Sequence, residues 1–442
     1  MKSLITMKKT IYLFIVLINI FSFPLIAQKS NYSELIVKKA NAIDQKVIDW
    51  RHDFHQNPEL GNRETRTAAI VAKHLQSLGF DVKTNVAFTG VVGILKGDKP
   101  GPVIALRADM DALPVKEMND LAFASKVKTI YNGKETSVMH ACGHDGHTAI
   151  LMGVAEVLAS MKKELRGTVK FIFQPAEEGA PKGEEGGAAL MIKEGVLENP
   201  KVDVIFGLHL NSLLEVNKLS YHPAGTLAGI GDFRITVKGK PSHGSQPWLS
   251  VDPIVVAAQI VTSLQTIVSR NVKLTENPVV VTVGAINGGN RSNIIPSEVE
   301  MIGDVRSFTT DDETMVFSRI KQIAEKTAEA AGATAVVEMP YQTHYPVTFN
   351  NVALTNRMLP SLQKSAGTEN VLLVSAVTGA EDFSFFAQKV PGLYFRLGGT
   401  AKGKDFKTVG PHHTPEFIIE DDSFKLGVIT LSNLVFDYAE MK

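Results

Sequence analysis

Residues 139–148 read Met139-His-Ala-Cys-Gly-His-Asp-Gly-His-Thr148. The stretch carries Cys142, the one cysteine of the chain, and three of its twelve histidines. A lone cysteine cannot close an intramolecular disulfide, so Cys142 is a buried thiol, a nucleophile or a metal ligand. Its neighbours favour the ligand. Cys142 and His144 stand two apart in a glycine-containing turn that can aim both side chains at one point. A thiolate with an imidazole suits borderline-soft divalent ions such as Zn, Co, Ni or Mn. His140 and His147 read as hydrogen-bonding orienters or caps rather than ligands. Asp145 reads as the N-cap of the following helix.

Outward from this stretch, strands and helices alternate. An apolar stripe predicts a helix over 31–56, ended by Asn57-Pro58. A second helix over 64–78 stops at Gly79. Short β-rich runs follow at 81–86, 91–95 and 103–106. The last is continuously apolar, as in a strand buried on both faces, and runs into Arg107-Ala-Asp-Met-Asp-Ala-Leu-Pro114. Beyond Thr148 come a helix over 149–161 and a buried strand over 168–173 that delivers Gln174-Pro-Ala-Glu-Glu-Gly179. A helix over 185–194 and a strand over 202–208, which delivers His209, complete the series. Polar groups just past buried strands lie where α/β folds bind ligands. The fold class is α/β, a mixed sheet with helices on both faces.

The pattern changes near residue 224. Strand 232–238, helix 252–269 with Asp252 as N-cap and Pro253 at its first position, strands 279–286 and 298–306, helix 311–331 and strand 334–339 form a β-α-β-β-α-β unit. The expected organisation is therefore a first domain in two parts, 28–223 and 341–442, with a compact unit, 224–340, inserted between them. The second part resumes with a helix over 350–365, a strand over 371–374, the motif Gly379-Ala-Glu-Asp-Phe383 and a strand over 392–397.

Glu177 and Glu178 are adjacent just past a buried strand. Successive residues there point in opposite directions, so one carboxylate can bind metal while the other serves as general base. Glu184 and Glu185 read as solvated. His209 and His413 join Cys142, His144 and Glu178 to supply five ligands. With the Cys142 thiolate bridging, that set fits two ions ~3.5–4 Å apart.

The chain is too long, at 442 residues, for a single ordinary core. Apolar and charged contents of 44% and 21% are globular values. Zero formal net charge gives no basis for nucleic-acid binding. Lys2, Lys8 and Lys9 precede an apolar run over 11–27, the pattern of a secretory signal cleaved after Ala27. The expectation is an exported protein with no other membrane attachment. There is no Gly-x-Ser-x-Gly, His-Glu-x-x-His or Walker loop.

Taken in order, His52-Asp-Phe-His-Gln-Asn-Pro-Glu-Leu60, residues 107–114, 139–148 and 174–179, Gly207-Leu-His209, Ser242-His243, Asn293-Ile-Ile-Pro296, residues 379–383 and His413-Thr-Pro415 resemble the M20 metallopeptidases. Within them the resemblance is to the amidohydrolase branch, with its hippurate, N-acyl-amino-acid and auxin-conjugate hydrolases. It implies a mixed-sheet dinuclear-metal catalytic domain. Its two divalent ions (Mn, Zn, Co or Ni) would be held by Cys142, His144, Glu178, His209 and His413, with Glu177 as general base. The resemblance is what selects His413 over His412. Other branches bridge with an aspartate where this one has cysteine, and carry His-x-Asp where this chain has Asp109-Met-Asp111. Asp111 is taken as an orienting group, with Asp109 a second candidate. The domain in two parts is implied to be the catalytic one, and the inserted unit 224–340 to be a lid and the surface of a homodimer, with His243 reaching the partner subunit's site to stabilise the oxyanion. Asn293 and Arg306 would hold the substrate's carboxylate or carbonyl, and Gly379 would supply a backbone contact. Residues 211–218 are poorer in Pro and Gly than the resemblance leads one to expect. The implied reaction is hydrolysis of the amide of a small N-acyl amino acid. A dipeptidase or exopeptidase and an N-acetyl-diaminopimelate-type deacetylase share that chemistry. The intact Glu177 and five ligands argue against a non-catalytic binding protein, and a Cys142 thiol hydrolase would leave Glu178, His209 and His413 without a role.

Overall fold

The computed structural model describes residues 32–441; the expected signal segment, 1–27, lies outside the described residues. The main sheet has eight strands in the order Asp81–Val86, Gly90–Lys96, Arg166–Gln174, Lys99–Asp109, Val204–Glu215, Gly392–Thr400, Leu219–Tyr221 and Val371–Leu373. The central four strands, from Arg166–Gln174 to Gly392–Thr400, run parallel and pair antiparallel with the strand on either side, and the outermost pair Leu219–Tyr221 and Val371–Leu373 is again parallel, so the sheet is mixed. Its parallel strands are apolar on both faces because helices cover both. Tyr32–Gln56, His144–Ser160 and Phe424–Glu440 pack together on one side around Leu106, Phe171, Phe206 and Leu434. Gly187–Lys193 and Phe383–Ala387 lie over Ile172, Ile205 and Tyr394 in a separate cluster.

Residues 229–345 build a second sheet with its own core. Its order is Val280–Asn287, Glu298–Ser307, Gly229–Lys238, Thr334–Glu338, and His344–Tyr345 adds to the end of Gly229–Lys238. All its pairings are antiparallel. One face alternates inward, with Phe233, Ile235 and Val237, beneath the helices Pro253–Asn271 and Thr310–Ala330. Pro253–Asn271 is long and apolar enough to cross a membrane by composition. Its Val256, Ile260, Leu264 and Ile267 are instead buried in this core. Asp252 caps it, accepting a hydrogen bond from the Ile254 amide. The chain passes between the two cores twice, and the crossings run side by side where Ala224–Leu227 pairs with Thr348–Asn350.

Three local expectations are corrected. The helix expected at 149 begins at His144, and its N-cap is Gly143, at φ 101°, rather than Asp145. Asp145 lies within the first turn, buried against Arg51 and His55. His209 does not follow its strand but lies inside it, because Val204–Glu215 continues as sheet through the stretch poor in Pro and Gly. The helix Phe424–Glu440 and the hairpin Lys128–Tyr131/Lys134–Ser137 were not anticipated.

Candidate metal centre

Cys142 is the hub of the cluster. Its Sγ lies 3.3 Å from His413 Nε2, 3.5 Å from His209 Nε2 and 3.7 Å from His412 Nδ1. His413 Nε2 is also 3.0 Å from Glu178 Oε1. His144 Nε2 faces the same space, 3.8 Å from Glu177 Oε2 and 4.0 Å from Glu178 Oε1. Among the described residues the buried His144 Nε2 has no hydrogen-bond partner. The donor atoms of Cys142, Glu178 and His413, of Cys142, His209 and His412, and of His144, Glu177 and Glu178 all lie within 4.8 Å of one another, group by group.

Local backbone explains this convergence. Gly143 takes a left-handed conformation that turns the chain sharply into the helix. Gly146 lets that helix close on the strand carrying His209, since a Cβ there would meet Leu210 Cδ1 at 2.4 Å. Ala176, at φ 51°, breaks the alternation past the strand Arg166–Gln174. Both following carboxylates therefore face His144 instead of opposite sides, which corrects the strand-like expectation for Glu177 and Glu178. His413 is also left-handed, at φ 66°, and its amide donates to Ala141 O at 2.8 Å.

Hydrogen bonds to the far ring nitrogens decide which histidines can offer a lone pair. His144 Nδ1 donates to Asp111 O at 2.9 Å and His209 Nδ1 donates to Leu210 O at 2.6 Å, so Nε2 of each is free to bind a cation. His412 is the reverse. Its Nε2 accepts from the Ser212 amide at 3.3 Å, which puts the proton on Nδ1, aimed at the Cys142 sulfur. Burial, aided by His413 and His147, holds its pKa down to about 3, so the ring is neutral. His412 is thus a donor to sulfur, and sequence reasoning had not given it that part. His147 likewise accepts the Leu210 amide at Nε2, 2.8 Å, and offers Nδ1–H to Asp109 Oδ1 at 2.6 Å. His140 breaks the pattern expected of it: it is buried, and neither ring nitrogen has a partner among the described residues.

Asp111 serves two neighbours: its carbonyl accepts His144 Nδ1 and its Oδ2 accepts the Glu178 amide at 2.9 Å. Beneath Glu177, Arg107 gathers Asp109, Glu381 and Asp382 at 2.5, 2.9 and 2.8 Å. The Asp382 amide donates to Glu177 Oε1 at 3.3 Å. In the sequence Glu381 and Asp382 stand out only as part of the motif 379–383; nothing in their local pattern reveals that they back Glu177 from a distant segment.

This buried, carboxylate-rich centre attracts positive charge. Burial alone would lower His144, but Asp109, Asp111 and Glu178 outweigh it and push it up to about 10. The Glu178 hydrogen bond also raises His413. Burial, with Glu178, Glu177 and Asp109, pushes the Cys142 thiol well up. A divalent cation would displace these protons, because it needs a thiolate and free imidazole nitrogens. Sulfur, imidazole and carboxylate donors, together with the orphaned His144 Nε2, fit such an ion.

The residues expected to touch substrate fall elsewhere. His243 and Asn293 are neighbours on an exposed face of the second sheet's unit, where Ser242–His243 pairs with Ile294–Ile295 and the Gly244 amide donates to Asn293 O. His243 Nδ1 accepts from the Ser245 amide at 3.1 Å, which leaves Nε2–H pointing outward as a donor. Arg306 pairs with Asp304 at 2.7 Å and reaches Thr378 O at 3.4 Å, next to Gly379.

A mixed α/β scaffold that gathers cysteine, histidine and carboxylate donors at the ends and edges of its central strands is the plan of a metal-dependent hydrolase. Residues 105–437 match the peptidase family M20/M25/M40, and the chain belongs to that family. It is 37% identical over 411 residues, 92% of this chain and 99% of the relative, to thermostable carboxypeptidase 2 of Saccharolobus solfataricus. It is 36% identical over 403 residues, 90% of this chain and 87% of the relative, to IAA-amino acid hydrolase ILR1-like 2 of Arabidopsis thaliana. Among solved structures it resembles a dinuclear metal-binding M20 peptidase of Bacillus subtilis, with a TM-score of 0.75, 32% identity, and coverage of 91% of this chain and 100% of the other. The protein is an M20-type hydrolase.

Proposed function

We propose that the protein hydrolyses the amide bond of N-acyl amino acids at a two-metal centre held by Cys142, His144, Glu178, His209 and His413, with Glu177 as general base. The observation that carries this reading is the convergence of the Nε2 atoms of His144, His209 and His413 and the Glu178 carboxylate around the Cys142 sulfur, beside Glu177. The Cys142 sulfur lies 3.5 Å from His209 Nε2 and 3.3 Å from His413 Nε2, which supports it as the ligand that both ions would share. When bound, two divalent ions supply an acidified water and a polarised carbonyl. Glu177 takes a proton from the attacking water and passes it to the leaving nitrogen. Burial and the Glu381, Glu178 and Asp382 carboxylates push Glu177 well above the ordinary carboxylate range in the protein alone; nearby cations act in the opposite sense. Arg306 and Gly379 are near enough, through Thr378, to receive one substrate end together. His243 carries its proton on the outward Nε2, the form that can hold an oxyanion.

Several finer points belong to the same reading. The inserted unit, expected over 224–340 and with a sheet that runs on to Tyr345, is a lid whose closure excludes water. Its edge strand Val280–Asn287, with exposed Val280 and Ile286, and the helix packed on it, with exposed Ile254 and Val255, support a homodimer in which His243 serves the partner's site. The amino-terminal basic and apolar run supports export. The identity with a carboxypeptidase favours a second reading, in which the same chemistry cuts the terminal bond of a peptide.

The test is a panel of hippurate, N-acetyl amino acids, indole-acetyl amino acids and dipeptides assayed for released amino acid, with Glu177→Gln alongside. Turnover of the acyl amino acids, lost in Glu177→Gln, supports the proposal. Turnover of dipeptides alone moves the assignment to exopeptidase, and turnover unaffected by Glu177→Gln removes the general base.

A further inference from the structure

The strained turn that presents Glu177 is held from several sides. The Ala176 amide donates to Glu64 Oε1 at 2.8 Å, and the Glu178 amide donates to Asp111 Oδ2 at 2.9 Å. Between them, the Glu177 carbonyl accepts a hydrogen bond from Tyr345 Oη at 3.1 Å. Glu64 and Asp111 belong to the main sheet's half of the molecule; Tyr345 does not. It pairs with Ile230 in the second sheet. Three residues later the chain has entered Thr348–Asn350, which pairs with Ala224–Leu227 at the crossing between the two cores. Tyr345 is therefore the last residue of the second sheet before the crossing, and its hydroxyl reaches the general base's own peptide. The ring also meets Phe385 edge-on, with centroids 5.8 Å apart at 71°. Phe385 follows Asp382, whose amide holds Glu177 Oε1. One side chain of the lid thus touches both segments that fix Glu177.

We propose that Tyr345 is a positioning residue that couples the lid to Glu177: its hydroxyl fixes the 177 carbonyl, and so the aim of the Glu177 carboxylate, according to where the lid sheet stands. This rests on the reading of Glu177 as general base. A left-handed alanine is a costly backbone state that persists only while its surroundings enforce it. A hydroxyl carried by the lid is one of the groups that enforce it. General-base catalysis is sensitive to such aim, since a 1 Å displacement can cost about a hundredfold.

The experiment uses the full chain loaded with Mn, comparing wild type, Tyr345→Phe, Glu177→Gln and the double variant on the best substrate of the panel. Tyr345→Phe keeps the ring against Phe385 and removes only the hydroxyl. It is expected to lower kcat about tenfold with KM changed less than about twofold, at unchanged metal content and thermal midpoint. In the Glu177→Gln background it should have no further effect on the residual rate, because the group it positions is gone. An unchanged kcat overturns the proposal. So does a loss that multiplies with Glu177→Gln, or one that tracks metal content or unfolding, because each is the mark of a purely structural tyrosine. If Glu177→Gln itself keeps full turnover, the general-base reading fails instead, and that result is read without reference to Tyr345.

Discussion

The two histidines of Pro411-His-His-Thr-Pro415 differ by one position and take opposite parts. His413 turns into the centre because its backbone is left-handed, and its Nε2 meets both Cys142 and Glu178. His412 spends its Nε2 on the Ser212 amide and can only donate to the sulfur. His413→Ala should therefore remove at least one metal equivalent and nearly all activity. His412→Asn should bind both ions more weakly, by roughly 10–100-fold, the usual cost of losing an orienting partner. Elemental analysis of dialysed protein separates the two; equal metal loss in both would contradict the tautomer assignment. Single residues were legible in the sequence where chemistry is concentrated locally, as at Cys142 and His144. They were illegible where partners come from afar. No pattern near Glu381 announces that Arg107 will draw it beneath Glu177, and the choice of His413 over His412 came from family likeness, not from local spacing.

The helix His144–Ser160 is the element on which the centre depends, because it starts at a proposed ligand. Its first turn is anchored through Asp145, which accepts Arg51 Nε at 3.0 Å and pairs with His55 at 2.7 Å, all three buried. Arg51→Met leaves the Asp145 carboxylate short of its cation in a dry site. Breaking such a pair costs about 3–5 kcal/mol, to be read as a fall in the urea midpoint. His55 adds a pH signature. Burial would lower its imidazole, but hydrogen bonds to Asp145 and Glu117 outweigh that and hold it above the ordinary 6.5. A raised folded value stabilises fully below about pH 6.5 and fades as pH rises through it. The stability gap between wild type and His55→Gln should thus be widest in mild acid and narrow toward high pH; a gap that widens with pH would contradict this sign. The helix was foreseen, but not its start, because Gly143 rather than a side-chain cap turns the chain. Phe424–Glu440 was missed for a different reason. It is buried on nearly every face, so it shows no apolar stripe to read.

At the scale of the molecule, the mixed sheet and the β-α-β-β-α-β order were legible because periodicity switches clearly between continuous apolar strands and an alternating strand such as Gly229–Lys238. What periodicity cannot show is how the halves meet: the paired crossing at Ala224–Leu227 and Thr348–Asn350, and the Tyr345 contact, are pairings between distant segments. The proposed homodimer has a specific consequence. His243→Ala should lose about 10²–10³-fold in kcat if it holds the oxyanion. Co-expressed with Glu177→Gln, it should regain activity that neither variant has, because each heterodimer holds one site with an intact Glu177 and a partner His243. An inactive mixture would place His243 in its own chain's site, and an unimpaired His243→Ala would place it outside catalysis. The most direct test of the central claim is a metal titration. Chelator-stripped protein beginning at Gln28 is re-supplied with Mn, Zn, Co or Ni in sub-stoichiometric steps while release of amino acid from an N-acyl substrate is followed. A Cys142-bridged pair of ions predicts activity that is absent without metal and reaches its plateau at two equivalents per chain. Full turnover in the stripped protein, or a plateau at one equivalent, would contradict it.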